Sequence, residues 1–123
     1  MARILLAEDD DNMRVFLARA LRKAGHEVHA VADGDAALAW VSERPIDLLL
    51  ADVVMPGMRG GQVARQVKDL FPGVQVVQMT GYTDKPDELA ATGEDPRVLH
   101  KPFDLADLRT LVRETLDRPT ARP

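Results

Sequence analysis

The sequence predicts a doubly wound α/β domain, with one five-stranded parallel sheet in the order 2-1-3-4-5 and helices on both of its faces. Three observations carry this. Apolar runs such as Ile4–Ala7 and Leu48–Ala51 are the length of buried strands. Between them lie stretches whose apolar residues recur at three and four. The alternation reads βαβαβαβ, then an ambiguous stretch, then βα; right-handed crossovers make that a parallel sheet, and five strands favour this order.

Arg3 to Ala7 forms the first strand and stops at Glu8-Asp9-Asp10-Asp11-Asn12, after which Met13, Phe16, Leu17, Ala20, Leu21 and Ala24 recur at helical spacing until Gly25. Glu27 to Val31 alternates as the second strand. Asp33 caps a helix that carries Ala36, Ala37, Trp40 and Val41 and runs up to Pro45. The third strand lies in the stretch Asp47 to Gly57, an apolar run that ends at Asp52 and is closed by Pro56-Gly57. Beyond Gly60-Gly61 comes a helix with Val63, Ala64, Val67 and Leu70, halted by Pro72-Gly73, and Val74 to Met79 is the fourth strand.

Thr83 to Arg97 contains Pro86, Gly93 and Pro96 and little apolar periodicity, so a short helix or mobile loop is expected there. Val98 to His100 is the fifth strand. Asp104 then caps a last helix with Asp107 three residues on and Leu105, Leu108, Leu111, Val112 and Leu116 along one face. Residues 1–118 are expected to form one domain and 119–123 a frayed tail, with no linker or output domain after the last helix.

Composition narrows the function. The 123 residues hold no cysteine and a formal net charge of −4, which removes disulfides and thiolate chemistry and argues against direct DNA binding. The opening apolar run is too short for a signal peptide and meets acids where a cleavage site would stand, and no run reaches membrane length. A cytoplasmic protein with no membrane contact is expected.

Parallel sheets bind ligands beyond the carboxyl ends of their strands. The predicted strands bring Glu8 and Asp9, Asp52, Thr80 and Lys101 to that one edge, on neighbouring strands about 4.8 Å apart. Alone, Asp52 before Pro-Gly reads as a turn residue and the acidic run as a helix N-terminus suited to the dipole. Together they form a pocket of repelling carboxylates that a hard divalent cation and a lysine would offset, and Mg²⁺ fits by its preference for oxygen ligands.

Ile4–Asp10, Leu50–Gly57, Met79-Thr80-Gly81 and His100-Lys101-Pro102-Phe103 make the chain resemble the receiver domain of bacterial two-component response regulators, a flavodoxin-like (CheY-like) fold, over nearly its whole length. The resemblance implies that Asp52 accepts a phosphoryl group from a sensor histidine kinase or a histidine phosphotransfer protein. It further implies that Glu8, Asp9, Asp52 and the Val54 carbonyl hold Mg²⁺, that Thr80 and Lys101 bind the phosphoryl oxygens, and that Lys101-Pro102 is cis. Such a domain catalyses only its own phosphorylation and dephosphorylation and passes the signal to a downstream protein target.

One departure stands out. Receivers usually carry Tyr or Phe three residues before the lysine, where this chain has Val98, with Tyr82 as a nearby ring. Ile4–Asp11, Leu48–Pro56 and Thr80-Gly81-Tyr82 further resemble CpdR-like stand-alone receivers, which implies an adaptor role in ClpXP-dependent proteolysis.

Other chemistries fit less well. An FMN-binding flavodoxin-like protein needs an uncharged phosphate loop after the first strand, and Glu8–Asp11 would repel phosphate. A phosphohydrolase wants a second carboxylate two residues after the nucleophile, where Val54 stands. A Ca²⁺ loop at Asp9–Asn12 lacks its glycine and closing glutamate.

Overall fold

A computed structural model describes residues 2–55, 60–80 and 97–117. In chain order the described elements are β1 (Arg3–Ala7), α1 (Asp11–Lys23), β2 (Glu27–Val31), α2 (Gly34–Val41), β3 (Leu48–Asp52), α3 (Gly60–Leu70), β4 (Gln75–Thr80), β5 (Arg97–His100) and α4 (Leu105–Asp117). The five strands form one sheet, every pair parallel, in the order β2-β1-β3-β4-β5. β3 is buried at every residue, as its unbroken apolar run requires of a central strand covered on both faces.

Side chains alternate across the sheet, so two cores form. On one face Ile4, Leu6, Leu48, Leu50, Val77 and Met79 pack with Leu17 and Leu21 of α1 and Leu108 and Val112 of α4. On the other, Leu5, Leu49, Ala51 and Val76 pack with Ala37 and Val41 of α2 and Val63, Ala64 and Val67 of α3. Each fully buried aliphatic side chain contributes about 1.5–3 kcal/mol through the area it removes from water.

Local chemistry sets the ends. Asp10 Oδ1 accepts from Met13 N at 2.9 Å and caps α1, whose far end turns at Gly25 with φ 99°. That left-handed conformation costs a side-chain-bearing residue and not glycine. Asp33 caps α2 through Ala36 N at 2.8 Å. At α4, Asp107 N donates to Asp104 Oδ1 at 2.9 Å and Asp104 N to Asp107 Oδ2 at 3.3 Å, the reciprocal cap that their spacing implied.

Several expectations need correction. Phe16 is 51% exposed, because it lies about 100° around α1 from Leu17, off the buried stripe. Leu70 is in phase with Val63 and Val67, yet it is the last residue of α3 and is 51% exposed. α2 stops at Val41 with Ser42 as its cap, short of Pro45. β4 starts at Gln75 and takes in Thr80, and β5 gains Arg97, since ladder pairing continues through both. The expectations for 83–96, Tyr82 and the 119–123 tail lie outside the described residues.

Candidate functional site

Main-chain bonds just past the strand ends hold the site in register. Glu8 N donates to Val31 O at 3.1 Å, Val53 N to Met79 O at 2.9 Å, and Lys101 N to Thr80 O at 2.7 Å. Each ties a loop to the neighbouring strand, so Glu8, Asp52, Thr80 and Lys101 leave the sheet at one edge. The Lys101-Pro102 peptide bond is cis, as expected.

The acidic run divides its labour. Asp10 is the helix cap, and Asp11 pairs with Arg14 at 2.5 Å. Glu8 and Asp9 remain, and their carboxylates lie with that of Asp52 so that one oxygen from each falls within 4.8 Å of the others. A cluster of three carboxylates with hard oxygen donors fits a hard divalent cation such as Mg²⁺. Glu8 is fully buried and Asp52 only 5% exposed, whereas Asp9 is exposed at the mouth.

Asp52 is fixed at both oxygens. Oδ1 accepts from Val54 N at 2.9 Å, and Oδ2 accepts from Lys101 Nζ at 2.5 Å. The same ammonium stands 3.4 Å from Glu8 Oε1. Burial raises the Glu8 carboxyl to about 7, helped by the charge of Asp52 and a hydrogen bond with Asp9 and opposed by Asp10 N–H and Lys101. Burial pulls Lys101 down, but its hydrogen bond to Asp52, the charges of Asp52 and Glu8 and a bond to Glu8 outweigh that and leave it above its ordinary value. An ammonium held between carboxylates in a partly dry pocket is poised to follow an anion placed there.

The structure thus brings together Glu8, Asp9, Asp52 and Lys101 by side chain, with Thr80 buried at the adjoining strand end. Val54 contributes its amide to Asp52. Sequence reading missed Arg14, whose guanidinium donates to the Glu8 carbonyl at 2.9 Å as well as to Asp11 and so braces the acidic loop. A signal was there, since Arg14 stands three residues after Asp11 in the first turn of a helix. A cleft of about 640 Å³ opens at the opposite sheet edge, lined by Ala2, His26, Asp47, Gln75, Arg109 and Arg113 among others, and holds none of these groups. The clustered acids and Lys101 lie at the carboxyl edge.

The chain matches the family described as the response regulator receiver domain over residues 4–113. It belongs to that family. The response regulator receiver protein CpdR of Brucella abortus is 42% identical over 119 residues, covering 94% of this chain and 98% of that protein. The sensor kinase CckA of the same organism is 35% identical over 95% of this chain, but the chain spans only 13% of that protein's length. Among solved structures, a CheY-like receiver domain protein from Methanospirillum hungatei superposes with a TM-score of 0.87 at 26% identity, covering 95% of this chain and 94% of the other. A receiver is a signalling domain and not an enzyme acting on an outside substrate, and the FMN-binding alternative is set aside. No described helix is long and apolar enough to cross a membrane.

Proposed function

We propose that this receiver, comprising residues 1–118, accepts a phosphoryl group on Asp52 from a sensor histidine kinase or a histidine phosphotransfer protein in the cytoplasm. The observation that supports it is the meeting of a buried carboxylate, two further acids and a lysine at one sheet edge. Mg²⁺ is to be held by the Glu8, Asp9 and Asp52 carboxylates and the Val54 carbonyl. When bound it supplies positive charge against the phosphoryl oxygens.

The transfer is in-line displacement. An Asp52 carboxylate oxygen bonds to phosphorus as the phosphorus–nitrogen bond of the phosphohistidine breaks, and the imidazole leaves with the electron pair. Lys101 has three donors on a flexible stem, so it can pass from Asp52 Oδ2 to a phosphoryl oxygen without leaving the pocket. Thr80 donates its hydroxyl to another oxygen of the group. Two residues past Asp52, Val54 cannot move a proton, so water attack gets no acid or base from that position.

Output is then conformational, through protein contacts. Identity of 42% with the receiver protein CpdR favours the adaptor reading, in which the phosphorylation state of this chain sets its docking onto ClpXP-dependent proteolysis. Equal binding of a ClpXP preparation by the phosphorylated chain and by Asp52→Asn counts against that output.

The acceptor assignment has its own test. Incubation with a small phosphodonor and Mg²⁺ should add one phosphoryl mass to the wild type and to Asp47→Asn, whose carboxylate bonds Arg3 N at the far edge, and none to Asp52→Asn. Labelling that survives in Asp52→Asn refutes it.

A further inference from the structure

Among the buried polar side chains of the described residues, Gln78 has both its amide nitrogen and its amide oxygen without a hydrogen bond. It is fully buried, in the interior of β4. Its register partners are Ala51 on β3 and Val98 on β5, neither of which offers a polar side chain. An unpaired buried amide is costly, and Met or Leu would fill similar space without that cost. Packing therefore does not explain a glutamine here.

Position along the strand does. Side chains two apart on a strand share a face, so Gln78 and Thr80 stand on the same side of β4 with Cα atoms about 6.7 Å apart. That spacing is within reach of a glutamine amide for a threonine hydroxyl. A hydroxyl has one proton and two lone pairs, so it can accept one hydrogen bond while donating another.

We propose that Gln78 backs Thr80 in the phosphorylated state: its Nε2–H donates to the Thr80 hydroxyl oxygen while that hydroxyl donates to a phosphoryl oxygen on Asp52. The inference rests on Asp52 being the acceptor. Linked hydrogen bonds in a low-dielectric interior polarise and strengthen one another. The unpaired amide raises the free energy of the unmodified form, and pairing it lowers that of the phosphorylated form. Both effects bias the domain toward the second arrangement. Gln78 acts through Thr80 and is a positioning residue.

Thermal melts with Mg²⁺, with and without beryllofluoride as the phosphoryl mimic, test this. Without the mimic, Gln78→Met should melt higher than wild type by about 4 °C, because two unpaired polar atoms are gone. The rise in Tm that the mimic brings should be smaller in Gln78→Met than in wild type. In a Thr80→Val background, Gln78→Met should no longer lessen that rise, whereas an effect of Gln78 that is independent of Thr80 is the same in both backgrounds.

An equal rise in wild type and Gln78→Met overturns the inference alone, as does a variant that melts no higher than wild type. No rise in wild type overturns the Asp52 reading and this inference with it. Should Gln78→Met not fold, side-chain amide signals of the wild type decide. One of the chain's four glutamines should gain protection from hydrogen exchange on adding the mimic, and an unchanged set overturns the proposal.

Discussion

Glu8 is held at about 7 by a balance that is unusual for a carboxylate, and the consequence can be measured. Between its ordinary 4.5 and about 7 the folded chain keeps a proton that the unfolded chain has released. Glu8 therefore stabilises the fold fully below pH 4.5, and that contribution is lost as pH rises through about 7. With Glu8 in the proposed ligand set, Mg²⁺ reverses the preference, because a ligand carboxylate must be ionised. We predict that Mg²⁺ affinity rises as pH increases through about 7 and that binding releases protons below it. Calorimetry of Mg²⁺ binding near pH 6.5 in buffers of different ionisation heat checks this; a heat independent of the buffer contradicts it. Only part of this environment was legible in the sequence. Acid clustering followed from strand order, but the complete burial of Glu8 and the closeness of Lys101 depend on tertiary contacts between residues ninety-three positions apart.

At the scale of elements, strands proved easier to read than helix faces. Ile4–Ala7 and Leu48–Ala51 are buried without a break, so composition alone marked them as central strands. Helix α1 was harder. Its buried face includes Ala18 and Ala20, whose small side chains give weak periodicity, while Phe16 and Val15 are exposed at 51% and 54%. The loop between β1 and α1 shows why residue type alone could not divide the acids: of four consecutive carboxylates one serves as a cap, one in an ion pair, and two lie with Asp52 in the carboxylate cluster. Position in the helix separates them. We predict that Asp10→Ala destabilises the chain by about 1 kcal/mol through loss of the cap, while Mg²⁺-dependent labelling of Asp52 stays near that of the wild type. Urea unfolding with an unchanged m-value supplies the first quantity and mass spectrometry the second. Labelling lost along with stability would place Asp10 in the site instead.

For the whole molecule, the order β2-β1-β3-β4-β5 sets the chemistry: β1, β3, β4 and β5 are neighbours, and their carboxyl ends deliver Glu8, Asp52, Thr80 and Lys101 to one place. That order followed from alternation and handedness, which is why the site could be assembled from sequence. Gln78 could not be found that way, since nothing in Val76-Val77-Gln78-Met79 tells whether its amide has a partner. The central claim is that this edge makes Asp52 the sole phosphoryl acceptor. Its most direct test is to treat the chain with a small phosphodonor and Mg²⁺, reduce it with borohydride, which converts an aspartyl phosphate to homoserine, and sequence the peptides by mass spectrometry. The account predicts homoserine at position 52 and at no other aspartate, and none when EDTA replaces Mg²⁺. Homoserine at Asp9 or Asp10 with position 52 unchanged would contradict it.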